Sequence, residues 1–235
     1  MTIRIEIDGQ PVSTDQDRIL VDVAAEAGVY IPTLCYLKGK PCLGTCRVCS
    51  VKVNGAVVAA CTVRVSDGMK VEVDEPETAD IRKALVELLF TEGNHVCAVC
   101  VANSHCELQN LAVEVGMDHS RLPYRFPQRR VDLSHAQFGL DHNRCILCTR
   151  CVRVCDEVEG AHVWDVGWRG EHCQIISGLG EPWGDVSACT HCGKCVEVCP
   201  TGALFNKTDT SEEKQGHPER LQALVHARSH QQWTP

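Results

Sequence analysis

One cysteine phrase, C-x2-C-x2-C-x3-C, occurs twice: Cys145, Cys148, Cys151 and Cys155, then Cys189, Cys192, Cys195 and Cys199, with Pro200 behind the second copy. Three sulfurs two residues apart lie along one tight loop and can reach three corners of a single 4Fe–4S cube. The fourth sulfur begins a helical turn and points the other way. The spacing therefore predicts crossed ligation. Cys145, Cys148, Cys151 and Cys199 serve one 4Fe–4S cluster, and Cys155, Cys189, Cys192 and Cys195 serve a second. Zinc uses two C-x2-C pairs and has no need of a third cysteine in register, which disfavours a zinc-stabilised scaffold.

The rest of the chain agrees with metal ligation. Among 235 residues there are 17 cysteines. No charged, apolar leader opens the chain, since MTIRIEIDGQ alternates like a strand. Disulfides belong to oxidising compartments, so these cysteines read as iron ligands of a cytoplasmic chain. No apolar run approaches the roughly 18 residues that span a bilayer, and no membrane insertion is expected. Aromatic residues make up only 5%, and pieces below about 70 residues usually need staples, so folding is expected to depend on cluster insertion. The formal net charge is -8. Thiolate ligation of oxidised clusters adds about seven further negative charges, which excludes nucleic acid as a partner.

Three modules and a tail follow, in a mixed α+β chain. Residues 1–77 alternate at Ile3, Ile5 and Ile7, turn at Asp8-Gly9 and show helical spacing in ILVDVAAEAG, with Gly28 placed to end the helix. CRVCSVKV, Asn54-Gly55 and AVVAACTVRV read as a hairpin, and MKVEVD as one more strand. Together they predict a β-grasp, ferredoxin-like unit with one 2Fe–2S cluster on Cys35, Cys46, Cys49 and Cys61. Cys42 competes with Cys35 for the ligand role; Cys35 is preferred because a free cysteine is also a common small buried hydrophobe. Residues 78–140 predict a small helical unit. Ile81, Leu85, Leu88 and Leu89 share one helical face, most simply as core packing. NHVCAVCVANSHC follows, then helical spacing in ELQNLAVEVG. Cys97, Cys100 and Cys106 leave one corner of a cube open, and His95 is the nearest candidate to fill it, with His105 the rival. A neutral imidazole removes one negative charge and raises the reduction potential. Residues 141–205 predict a bacterial-type ferredoxin unit with two 4Fe–4S clusters. Between its cysteine runs a hairpin turns at Arg169-Gly170, with Trp164, Trp168 and Trp183 shielding the clusters. Cys173 reads as a packing residue. Residues 206–235 form a polar tail with Leu221, Leu224 and Val225 at helical spacing, either solvated or docked on a partner.

IPTLCYLKGKPCLGTCRVCSVKVNG, LFTEGNHVCAVCVANSHCELQ, GMDHSRLPYRFPQRRVDLSHAQFG, HNRCILCTRCVRVCDEVEGAHVWDVGWRGE and SACTHCGKCVEVCPTGALF cover nearly the whole chain, segments without cysteine included. They resemble the N-terminal region of the large iron–sulfur subunit of NADH dehydrogenase complex I and the front of iron-only hydrogenases. Over the whole tandem they are similar to the diaphorase small subunits of bidirectional, NAD-reducing NiFe hydrogenases. The resemblance implies one 2Fe–2S and three 4Fe–4S clusters in a subunit of an oxidoreductase complex. Such a subunit relays single electrons between a flavin- and NAD(H)-binding diaphorase subunit and the NiFe hydrogenase small and large subunits. NAD-dependent formate dehydrogenases and electron-bifurcating complexes use the same tandem and stand as the alternative. A free ferredoxin is disfavoured by the four-centre length. After LFNKTD only a short, largely polar tail remains, so no H-cluster or molybdopterin domain is expected. No G-x-G-x-x-G follows a strand, and no Ser/His/Asp or paired-carboxylate arrangement suggests bond chemistry within the chain.

Overall fold

Alternating isoleucines become β1 (Thr2–Ile7), with Ile3, Ile5 and Ile7 buried and the intervening residues exposed. Asp8 and Gly9, at φ 47° and 78°, supply the left-handed pair of a tight hairpin turn, and β2 (Gln10–Asp15) pairs antiparallel with β1. Leu20, Val21, Val23 and Ala24 are the buried face of α1 (Leu20–Glu26). β3 (Ser50–Val53) and β4 (Ala56–Ala59) are joined by Asn54 and Gly55, again both left-handed. β5 (Lys70–Glu72) runs parallel to β1 and antiparallel to β3. The sheet order β2–β1–β5–β3–β4, with α1 packed into the same core, is the β-grasp arrangement.

The computed structural model describes residues 2–208; the rest of the polar tail, with Leu221, Leu224 and Val225, lies outside the described residues. Two compact units are present, one of Met1–Leu88 with Leu111–His119, the other of Leu89–Asn110 with the chain from Ser120 onward. Residues 78–140 are thus divided between them.

α2 (Pro76–Thr91) departs from the stripe its spacing suggests. Leu88 is 46% exposed, whereas Val86 and Glu87 are buried. The cause is polar. Arg82 gives two hydrogen bonds, at 3.0 and 2.7 Å, to the Ser50 carbonyl. Val86, four residues on, shares that inward face.

The second unit is built from shorter pieces: α3 (Glu107–Glu114, begun here and ending in the first unit), β6 (Val131–Asp132), β7 (Phe138–Asp141), α4 (Arg150–Val154), β8 (Trp164–Gly167), β9 (Gln174–Ser177), α5 (Lys194–Glu197) and β10 (Leu204–Asn206). β10 pairs with β7, so the chain leaving the second cysteine run is hydrogen-bonded to the strand that enters the first. β8 and β9 pair as a hairpin, but a broad connection with a 3-10 turn at Gly170–His172 replaces the tight turn expected at Arg169-Gly170. Among the described residues no helix is long and apolar enough to cross a membrane.

Candidate metal centres

In the first unit the ladder of the sheet brings distant cysteines together. Cys35 lies in the loop after α1, Cys46 and Cys49 on the approach to β3, and Cys61 in the 3-10 turn Ala60–Thr62 after β4. All four are buried. Cys46 Sγ is 3.3 Å from Cys35 Sγ, and Cys49 Sγ is 3.2 Å from Cys61 Sγ. Cys42 is placed there too, its Sγ within 4.8 Å of those of Cys35 and Cys61. Arg47, between Cys46 and Cys49, holds a left-handed φ of 58°. The Tyr36 hydroxyl donates to Asp22 at 2.7 Å and fixes the backbone beside Cys35. Hydrogen bonds from Cys42, Cys46 and Cys61 hold the Cys35 thiol below its ordinary value. Contact with Cys35, then burial, pushes Cys46 well above its own. So many thiols in one dry spot cannot all ionise together, because each thiolate opposes the next, and a bound cation relieves that conflict.

In the second unit, three cavities among the described residues are lined by cysteines. His95, Cys97, Cys100 and Cys106 line the first, with Phe90, Arg144, Thr201 and Gly202. His95 is hydrogen-bonded to the Leu89 backbone, and its Nε2 is buried without a hydrogen-bond partner among the described residues. With the ring's proton on Nδ1, toward Leu89, Nε2 would carry the free lone pair. Burial, aided by Arg144, pushes the His95 pKa down to about 4, so the ring is neutral. A buried, unpaired acceptor costs roughly 1–3 kcal/mol. A metal ion is a partner that suits a buried, neutral imidazole. His105 is buried and contacts the Asn103 carbonyl through Nδ1 at 3.0 Å; it is not in the lining of the cavity.

Cys145, Cys148, Cys151 and Cys199 line the second cavity, and Cys155, Cys189, Cys192 and Cys195 line the third. The local backbone explains the exchange of fourth cysteines. Leu147 and Thr149, at φ 52° and 58°, flank Cys148; His191 and Gly193, at 58° and 75°, flank Cys192. Left-handed non-glycine residues cost on the order of 1–3 kcal/mol each, and here they curl each loop about one point. Cys155 and Cys199 lie past the ends of α4 and α5, beyond those curls, and each faces the other run's cavity. Burial pushes Cys106, Cys145 and Cys195 up to about 12. Cys195 also has a hydrogen bond from Trp164. Trp164 and Trp183, both buried, line the third cavity with rings 4.7 Å apart. Trp168, expected to shield a cluster, is 60% exposed because it sits at the mouth of the β8–β9 connection. Cys173 lines none of the three cavities.

Some contributors were not visible in the motifs. Arg150 is 1% exposed and grips Glu107 with two bonds of 2.8 and 2.9 Å. Glu107 follows Cys106, and its backbone N–H donates to the Pro200 carbonyl at 2.8 Å. Thr201 lines both the first and second cavities. At Gly202 a Cβ would fall 2.6 Å from Cys100 Sγ, so a side chain there would intrude on the first. His135 lies beside the third, its Nε2 2.7 Å from His191 Nδ1 and 3.9 Å from Cys189 Sγ. An arginine inside a cysteine run, as Arg150 is between Cys148 and Cys151, was the available signal that a buried acid must answer it.

Known sequence families match in the same order: a 2Fe-2S iron-sulfur cluster binding domain over residues 1–76, the NADH-ubiquinone oxidoreductase-G iron-sulfur binding region over 82–121, and the ferredoxin-like domain of NADH-quinone oxidoreductase subunit 3 over 137–205. The gamma subunit of the NAD-reducing hydrogenase HoxS of Cupriavidus necator is 51% identical over 208 residues, which cover 88% of each chain. The chain belongs to this NAD-reducing hydrogenase subunit family. A crystal structure of a NAD+-reducing [NiFe]-hydrogenase in the H2-reduced state contains a chain of the same fold, with TM-score 0.84, 33% identity and 88% coverage of both. More distant relatives carry the tandem as part of a longer protein. The alpha subunit of the NADPH-Fe(3+) oxidoreductase of Geobacter sulfurreducens is 35% identical, and this chain spans 24% of it. The NADP-reducing hydrogenase subunit HndD of Solidesulfovibrio fructosivorans is 34% identical, with 36% of its length spanned. As a member of the hydrogenase family, the chain is an iron–sulfur subunit of an oxidoreductase complex, with 2Fe–2S and 4Fe–4S binding domains.

Proposed function

We propose that this chain relays single electrons, in the cytoplasm, between a flavin- and NAD(H)-binding diaphorase subunit and the small and large subunits of a NiFe hydrogenase. Cys35, Cys46, Cys49 and Cys61 hold one 2Fe–2S cluster. His95, Cys97, Cys100 and Cys106 hold a 4Fe–4S cluster; Cys145, Cys148, Cys151 and Cys199 hold a second, and Cys155, Cys189, Cys192 and Cys195 a third. The observation that carries this reading is three pockets, each lined by one set of four cysteine or histidine side chains that the cysteine spacing groups together. Bound iron–sulfur clusters supply reversible one-electron chemistry, which a flavin on one side converts to hydride exchange.

The chain's own residues hold, orient and insulate. The thiols give up their protons to iron and the His95 ring stays neutral. Ile146, Ile175, Trp164 and Trp183 exclude water from the second and third cavities. A dry surround keeps reorganisation small when one electron is added. The 51% identity to a hydrogenase subunit favours hydrogenase partners over a formate dehydrogenase.

The test is electron flow through the assembled complex. Cys148→Ser should abolish most hydrogen-driven NAD+ reduction, while NADH-driven reduction of an artificial dye at the flavin subunit persists. Hydrogen-driven NAD+ reduction at the unaltered rate would contradict the relay.

A further inference from the structure

Five thiols converge in the first unit where a 2Fe–2S cluster takes four. Cys42 is hydrogen-bonded to both Cys35 and Cys61, and the three Sγ atoms lie within 4.8 Å of one another. That separation is within reach of a side-chain rotation and a small backbone shift. The two rivals differ in how they are held. Cys35 is 2% exposed and is followed by Tyr36, which is buried and fastened to Asp22. Cys42 is half-buried and lies in a stretch with neither helix nor strand, bracketed by Gly39 and Gly44 at φ +74° and +64°. One thiol is anchored, the other rides a pliant loop, and both point to the same place.

We propose that Cys42 is an exchangeable fifth ligand, able to replace Cys35 on the same iron of the 2Fe–2S cluster. The proposal rests on the 2Fe–2S reading above. In the exchange the iron–sulfur bond to Cys35 breaks and one to Cys42 forms. The proton that Cys42 gives up passes to the sulfur of Cys35, its hydrogen-bonded neighbour. Iron keeps its oxidation state and the site keeps its charge, so no oxidant or reductant takes part. The consequence is a cluster that stays bound when either sulfur is blocked by oxidation.

The experiment compares the full-length chain, assembled with iron and sulfide under anaerobic conditions, with Cys35→Ala, Cys42→Ala and the double variant. Spin quantitation of the reduced 2Fe–2S signal and visible circular dichroism are the readouts, and the 4Fe–4S signals of the same samples report that the chain is folded. Each single variant should keep about half or more of the 2Fe–2S spin, with altered dichroism in Cys35→Ala. The double variant should lose it roughly tenfold while keeping its 4Fe–4S signals. Loss in either single variant as complete as in the double overturns the exchange and leaves the 2Fe–2S reading intact. Full retention in the double variant also overturns it. Absence of any 2Fe–2S signal in the unaltered protein overturns both.

Discussion

At the scale of single residues the account turns on His95. Three cysteines around a cavity could be accidental, but the buried Nε2 of His95 has no hydrogen-bond partner among the described residues. His95→Cys adds one negative charge beside the cluster. It should therefore lower that cluster's midpoint potential in an EPR-monitored titration; an unchanged spectrum and potential would show that His95 does not touch the iron. The sequence singles out the histidine because Cys97, Cys100 and Cys106 leave one position unfilled and His95 is two residues away, and the structure places its ring in the lining of the same cavity. Arg150 was legible only as an oddity. Its partner Glu107 is 43 residues distant, and nothing local announces a contact that long. Arg150 is buried and Glu107 only half-buried, so breaking the pair should cost more than the roughly 0–1 kcal/mol of a surface ion pair. Arg150→Met should accordingly bring cluster bleaching to a clearly lower temperature, and a variant that bleaches with the unaltered chain would place little weight on this pair.

At the scale of elements the distinctive device is the crossing of fourth cysteines, Cys155 past the end of α4 and Cys199 past the end of α5. Cys199→Ser should therefore damage the cluster held by Cys145, Cys148 and Cys151, although Cys195 is far nearer in sequence. EPR of the reduced variant decides it: loss of the signal belonging to the Cys189–Cys195 run alone would refute the crossing. Spacing reveals such local geometry well, because two-residue gaps and the turns at Asp8-Gly9 and Asn54-Gly55 leave the backbone few choices. It misleads where a polar contact outweighs an apolar stripe. α2 turns Val86 inward and leaves Leu88 out, since Arg82 must reach the Ser50 carbonyl. Trp168 fails for a related reason: the broad β8–β9 connection puts it in solvent, while Trp164, on the strand itself, is packed against Trp183.

At the scale of the whole molecule the two units depend on iron to different degrees. In the first, buried residues of β1, α1, β3 and β5 form one continuous core. In the second, strands of two to four residues, the short helices α4 and α5 and the start of α3 surround cavities lined by cysteines. Iron removal by a chelator under reducing conditions should therefore strip amide-exchange protection from residues 141–205 while β1 and β3 keep theirs. Equal protection in both units would mean that the second has a core sufficient without metal. The division of the cysteines into four ligand sets leads to the most direct measurement, iron and acid-labile sulfide per chain after anaerobic assembly. The account predicts about 14 of each, two in a 2Fe–2S cluster and four in each of three 4Fe–4S clusters. About ten would remove one of the three cavities from the relay, and zinc in place of iron would contradict an electron-carrying subunit altogether.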